Sequence, residues 1–510
     1  MLVAFKRFGF IFSIGGLAFL SACAAFKPDK FEGFYVNNIP SSAEIHRTNY
    51  DLSFALTFTN KFNGKNNQTE FIATYGTGWL IDWKEGGQKN GKNEPFRAYI
   101  ATNLHVADGL KNKKDYEPYN KETDNKEETT AFRIGKYTNA KDFVLPSKVN
   151  LANNAQVFVN VQTTVIPKTA FTARDFVNYK LSADEVTKQK KQLQELIEKA
   201  QKGEVQEGQQ TDTQAIQWQK KNDSNVQIAK SQSDSKDKGS QDKSQSGEGF
   251  AYADFAVLEL PLFLENQNDK KVFDHFIEPA MRTYKLLGDS LNLFAKQSLD
   301  ELKGNHYYLA GYPYLKNKVR SLFINQTDKT KKEDDQIVQH SNIDKPFDIR
   351  PSLMKPTLIR NKGDDFNDST LAWDYDHSKI FQLSQTFQNQ YYQQYGKGLV
   401  LTNAGFEVGA SGSLVLNDKK QIAGIYFGTT YSDVDAWGVA QLLRWKAMGN
   451  QTGENSAVAY DLIFGNKDTT KYYAQFAKKN STHFYKQIEQ AKDQSLKYVQ
   501  SDKTTDVKNS

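Results

Sequence analysis

Gly409-Ala410-Ser411-Gly412-Ser413 stands between two strand-like apolar runs, Leu399-Val-Leu-Thr402 and Ser413-Leu-Val-Leu416. A serine with glycine two residues before it and one after it sits where the backbone can turn sharply, because glycine enters conformations that other residues avoid. Such a turn aims the amides of Gly409 and Ser411 at one point, and paired donors aimed at one point stabilise a developing oxyanion. A serine hydroxyl also needs a base, and a carboxylate behind that base. Upstream, Tyr99-Ile-Ala-Thr-Asn-Leu-His105 ends a strand-like run on a histidine, and Tyr252-Ala-Asp254-Phe-Ala-Val-Leu-Glu-Leu260 opens another on an aspartate.

Histidine, then aspartate, then serine is the chain order of chymotrypsin, whereas subtilisin-like enzymes and α/β-hydrolases carry the same groups in other orders. The order therefore predicts a fold together with a chemistry: mainly β with helical additions, a chymotrypsin-like double β-barrel with inserted and C-terminal helical segments. Ser411 is the expected nucleophile, His105 the general base and Asp254 the group that fixes its tautomer, with the amides of Gly409 and Ser411 as the oxyanion hole. Ser413 is the nearest rival, but it lacks a glycine two residues before it. Asp108, three residues after His105, suits a cap on the turn after the strand. Asp374-Tyr-Asp376-His377 has no serine motif beside it and reads as loop.

The N-terminus places the protein. Lys6 and Arg7 precede an apolar run from Phe8 to Leu20, too short for the roughly 20 residues of a membrane-spanning helix and suited to a signal peptide. It closes on Leu20-Ser-Ala-Cys23, which resembles a bacterial lipobox, and Cys23 is the only cysteine among 510 residues. The expectation is a lipid anchor on Cys23 holding the chain on the extracellular face of the cell membrane. A lone cysteine allows no intramolecular disulfide, so packing alone must hold the fold. The formal charge of +6 is too small over this length to point to nucleic acid. With no H-E-x-x-H pair, Walker loop or G-x-G-x-x-G fingerprint, neither metal nor cofactor is expected.

Composition and periodicity divide the rest. After the signal (1–22) comes a tether (23–43), then a first β-lobe (44–260) carrying His105 and Asp254. Strand-like alternation begins at Asp51-Leu-Ser-Phe-Ala-Leu-Thr-Phe-Thr59 and continues in Phe71–Ile81 and Arg97–Thr102. Within this lobe lies an insertion at 181–249. It starts with a capping box, Ser182-Ala-Asp-Glu185, and one amphipathic helix, then runs from about 201 to 248 in Gln, Lys, Ser, Asp and Gly, a composition that predicts disorder. A helical connector (261–304), a second β-lobe carrying Ser411 (305–450) and a helical Lys- and Gln-rich tail (451–510) complete the map.

Several of these segments together resemble a known family. Gly76-Thr-Gly-Trp79, Ala101-Thr-Asn-Leu-His105, Asp254-Phe-Ala-Val-Leu258, Gly311-Tyr-Pro313, Gly409-Ala-Ser-Gly-Ser413 and the lipobox at Cys23 are similar to motifs of the trypsin-like serine peptidases of mycoplasma surface lipoproteins, which include the mycoplasma immunoglobulin proteases. The resemblance covers roughly residues 45 to 460. It implies a double barrel with an extra N-terminal portion and a serine triad. In the immunoglobulin-cleaving branch it also implies an antibody-binding partner lipoprotein. The function expected is a surface-anchored serine endopeptidase cutting exposed segments of extracellular proteins, with immunoglobulin as first candidate. The alternative is a non-catalytic surface lipoprotein that uses the same fold for adhesion or antibody binding. Gly405, six residues before Ser411, offers no acid for a primary pocket selecting Lys or Arg.

Overall fold

The computed structural model describes residues 44–63, 68–89, 92–121, 127–137, 158–178, 180–181, 249–287, 293–295, 307–313, 323–324, 355–357, 384–388, 390–402, 406, 408–417, 419–431, 436–446 and 458–491. The signal segment, the Cys23 tether, the helix expected after Ser182, the polar run 201–248, the Asp374–His377 cluster and Gly405 lie outside the described residues.

Helix α1 (Glu44–Leu52) leads into β1 (Ser53–Asn63), β2 (Thr69–Lys84), β3 (Gly87–Lys89), β4 (Lys92–Glu94) and β5 (Phe96–Thr102). A single helical turn, α2 (Leu104–Ala107), follows, then β6 (Glu127–Tyr137), β7 (Phe158–Gln162), β8 (Lys168–Arg174), β9 (Lys180–Leu181) and the long β10 (Gly249–Leu262). Helix α3 (Gln267–Val272) continues through a π-helical turn at Phe273–Ile277 into α4 (Glu278–Leu287). Beyond lie β11 (Tyr307–Gly311), β12 (Phe323–Ile324), β13 (Lys355–Thr357), β14 (Ser384–Phe387), β15 (Gln390–Gln394), β16 (Gly398–Thr402), β17 (Leu414–Asn417), β18 (Ile422–Tyr431), β19 (Ala436–Leu442), β20 (Arg444–Trp445), β21 (Tyr460–Asp461) and helix α5 (Tyr473–Asn480).

Two large sheets organise these strands, in the order β14-β15-β10-β5-β2-β1-β6-β7, with β8 and β9 also on β10, and β12-β11-β17-β18-β19-β16-β13. The chain is mainly β with few helices, as the sequence predicts. Neither sheet closes into a barrel among the described residues: β14 and β7, and β12 and β13, are ends without a mutual pairing. A second difference concerns β14 and β15. They fall in the range expected for the second lobe, yet β15 runs parallel to the start of β10, Gly249 opposite Tyr391 and Tyr252 opposite Gln394. The chain therefore returns to the first sheet before finishing the second.

A third difference is at the start. Asp51 and Leu52, expected in a strand, end helix α1. The helix is drawn onto the second sheet by Asn49, whose buried Nδ2 donates to the carbonyls of Tyr308 in β11 and Leu414 just after the serine turn, both at 2.9 Å. One side chain thus bonds two backbone carbonyls of the second sheet, which outweighs a local strand preference.

Within the C-terminal segment, residues 458–491 are built into the molecule. Tyr473 and Phe484 are buried in the core, and the buried carboxylate of Asp82 in β2 accepts from Tyr473 Oη at 2.9 Å, from the amide of Phe484 at 2.9 Å and from the amide of Trp83 at 2.7 Å. His483 stacks on Trp83 with ring centroids 3.9 Å apart. Among the described residues no helix is long and apolar enough to cross a membrane.

Candidate active site

The long strand β10 places Asp254. Its pairing with β5 begins at Ala256 opposite Thr102, so residues before Ala256 run past the end of β5 and meet the turn that follows it. That turn is α2, and it carries His105. Asp254 is wholly buried. Its Oδ2 lies 2.7 Å from His105 Nδ1, its Oδ1 accepts from the His105 amide at 3.0 Å, and its own carbonyl accepts from Asn103 Nδ2 at 2.8 Å. The His105 side chain remains 21% exposed.

Electrostatics favour the charged form of that imidazole. Burial opposes the imidazolium, but the Asp254 charge and hydrogen bond outweigh it, with a further contribution from Asp108, and the His105 pKa is raised. Asp108 follows the end of α2 and pairs with Arg174 at 2.7 Å. The Arg174 guanidinium in turn lies 3.9 Å from the Phe387 ring centre, so the β14–β15 hairpin packs behind the histidine turn.

Ser411 arrives from the second sheet. Gly409 and Gly412 have φ of 96° and 95°, the left-handed region that the glycine-framed motif predicts. A Cβ on Gly412 would fall 1.9 Å from Thr77 O and 2.5 Å from Thr102 Oγ1. The serine turn thus presses against β2 and against the end of β5, three residues before His105. Thr77 holds it there: its amide donates to Ser411 O at 2.8 Å and its Oγ1 to Gly409 O at 2.9 Å. Ser411 is half-buried, and its Oγ donates to the Phe427 carbonyl at 3.2 Å. Ser413 is fully buried, with its hydroxyl on Ala410 O, a position that keeps it from acting on anything outside the fold.

Asp254 and His105 are thus brought into direct contact, and Ser411 lies on a turn pressed against Thr77 and against Thr102, three residues before His105. Sequence reasoning passed over Asn103, Thr77 and the Asp108–Arg174 pair, since their roles rest on partners far along the chain; only the glycines flanking Thr77 hint at a close approach. Among the described residues, no group of three or more His, Cys, Asp and Glu side chains is arranged to hold a metal ion.

Residues 43–428 match the model of a family described as mycoplasma immunoglobulin protease. The chain belongs to that family. One relative, an uncharacterized lipoprotein of Mycoplasma pneumoniae, is 49% identical over 483 residues, covering 94% of this chain and all of its own. A second lipoprotein of the same organism is 53% identical over 331 residues, 65% of this chain and 94% of its own. Among solved structures, one described as that of the mycoplasma MIB and MIP proteins is similar at 15% identity with a TM-score of 0.39, covering 93% of this chain and 68% of its own. A TM-score at that level transfers no residue role from the solved protein to this member of the mycoplasma immunoglobulin protease family.

Proposed function

We propose that this protein is a serine endopeptidase held on the extracellular face of the cell membrane by a lipid on Cys23. Ser411 is its nucleophile, His105 the general base, Asp254 the orienting carboxylate, and the amides of Gly409 and Ser411 the oxyanion hole. The observation that carries this reading is the doubly bonded His105–Asp254 pair beside a glycine-framed serine turn docked on β2 and β5. In this reading the two sheets are the halves of a chymotrypsin-like pair of β-lobes, the first carrying the base and acid, the second the nucleophile. Asp254 accepts a hydrogen bond from Nδ1–H, which fixes the tautomer and makes Nε2 of the neutral ring the basic nitrogen. It takes the Ser411 proton as Oγ attacks a peptide carbonyl, and returns it to the leaving amine.

The substrate class proposed is an exposed segment of an extracellular protein, with immunoglobulin heavy chain first, presented by an antibody-binding partner lipoprotein. The family description and the lipoprotein names of the relatives support that choice. A second reading, a binding lipoprotein without catalysis, is favoured by one observation: the Ser411 hydroxyl is engaged by the Phe427 carbonyl. Reaction with a fluorophosphonate decides between them. Ser411 takes up the probe in the peptidase, and Ser411→Ala does not; absence of labelling in the wild-type chain leaves the binding reading. Incubation with intact immunoglobulin, with and without a partner lipoprotein, then tests the substrate by mass spectrometry of the fragments.

A further inference from the structure

We infer that Thr77 is a positioning residue for the oxyanion turn, setting the direction of its amides from the opposite sheet. The inference rests on Ser411 being the nucleophile. Thr77 makes four hydrogen bonds at the contact between the sheets. Its amide and Oγ1 donate to Ser411 O and Gly409 O, its carbonyl accepts from Thr102 Oγ1 at 2.7 Å, and its Oγ1 accepts from the Tyr312 amide at 3.0 Å. The direction of the hydroxyl proton is fixed, because the Tyr312 amide can only donate and Gly409 O can only accept.

Gly409 O belongs to the peptide unit before Ala410, and Ser411 O to the unit after Ser411. Thr77 therefore grips the units on either side of the Ala410–Ser411 peptide, which carries the Ser411 N–H. That central unit is held from its other side, since Ala410 O accepts from the amide of Ser413 at 3.1 Å and from its hydroxyl. In a trans peptide the N–H points opposite the carbonyl, so the Ser411 N–H is aimed away from Ser413. Gly409, whose amide is the second donor, is the residue whose carbonyl Thr77 Oγ1 holds. The His105–Asp254 pair takes no part in these bonds, and the hydroxyl of Thr77 is separable from base chemistry.

The test is the rate at which the full chain, purified in detergent, takes up a fluorophosphonate, compared with Thr77→Ser, Thr77→Cys and Thr77→Val across pH. Thr77→Val keeps the shape and loses the hydroxyl. Its labelling slows by about 10- to 100-fold, the scale on which a small misplacement costs rate, while the pH midpoint stays that of wild type because His105 and Asp254 are untouched. Thr77→Ser restores most of the rate, and Thr77→Cys, with a weaker donor, falls between and gives a reading even where Thr77→Val does not fold. A folded Thr77→Val or Thr77→Cys that labels as fast as wild type, a Thr77→Ser as slow as Thr77→Val, or a loss of rate accompanied by a shifted pH midpoint overturns the inference. A wild-type chain that does not label overturns the peptidase reading itself and takes this inference with it, an outcome visible before any variant is compared.

Discussion

Asp254 meets His105 twice, through Oδ2 at 2.7 Å from the imidazole Nδ1 and through Oδ1 at 3.0 Å from its backbone amide. A carboxylate held this way fixes both the ring and the helical turn that bears it. Because the pair raises the His105 pKa, the neutral ring that the proposed base role requires is lost on acidification from above the ordinary value of about 6.5. Labelling and proteolysis of the wild-type chain are expected to fall with decreasing pH along a limb centred above that value. Asp254→Asn moves the limb to lower pH and lowers the rate by about 10⁴. A limb that stays in place in Asp254→Asn refutes the electrostatic assignment.

Gly412→Ala tests the docking of the serine turn. The substitution forces an alanine to φ 95° and drives its Cβ to 1.9 Å from backbone at Thr77, so the turn must move off β2. Loss of fluorophosphonate labelling is expected, with a melting temperature several degrees lower. Strain of about 1–3 kcal/mol at such a backbone position sets that scale. Retained labelling in Gly412→Ala shows that the turn tolerates displacement.

Asp82 gives the fold its own pH dependence. Burial pushes its carboxyl up to about 6, against the opposing hydrogen bonds from Thr482, Phe484, Trp83 and Tyr473. A carboxyl raised in the folded state contributes stability that is full below its unfolded value and is lost as pH rises through about 6. Denaturant unfolding is expected to show a decline of about 2 kcal/mol between pH 4 and 7 from this group. Asp82→Asn keeps one acceptor for the amides of Trp83 and Phe484, turns the other position into a donor to the hydroxyls of Tyr473 and Thr482, and flattens that decline; an equally steep decline in the variant excludes Asp82 as its source.

The ends of the polar insertion lie side by side. Leu181 and Gly249 are antiparallel partners, so everything from 182 to 248 departs from and returns to one point of the first sheet. Replacing that stretch with an Asn-Gly turn, suited to two-residue hairpins, is expected to preserve labelling. The melting temperature should stay within about 2–4 °C, the shift of roughly 1 kcal/mol in a large domain. Unfolding on excision assigns the stretch a structural role.

How much of this was legible depends on whether the information is local. His105, Asp254 and Ser411 each fall within a short recognisable run, and the left-handed glycines around Ser411 follow from residue type, but Asp254 does not open its strand: β10 begins five residues earlier, at Gly249. Strands β2, β5, β10, β16 and β18 also announce themselves by apolar pattern. The end of helix α1 does not, because Leu52, Phe54, Leu56 and Phe58 alternate as in a strand, and it is the distant carbonyls of Tyr308 and Leu414 that hold Asn49 in a helix. Nor does a pattern within Gln390–Gln394 reveal that it pairs with Gly249–Tyr252; strand partners are chosen by packing, and two sheets offer several edges. Thr77 is the same case, since its hydroxyl is defined by Gly409, 332 residues away.

The interleaving of the first sheet makes the chain divisible. A single cut between Leu181 and Gly249 leaves His105 on one piece and Asp254 with Ser411 on the other, and the sole cysteine rules out a disulfide between them. The pieces share β10, which pairs with β5, β8 and β9 of the first piece while belonging to the second. The molecule is in effect a covalently joined heterodimer: its halves, expressed separately, should be inert alone and reconstitute a reactive serine on mixing.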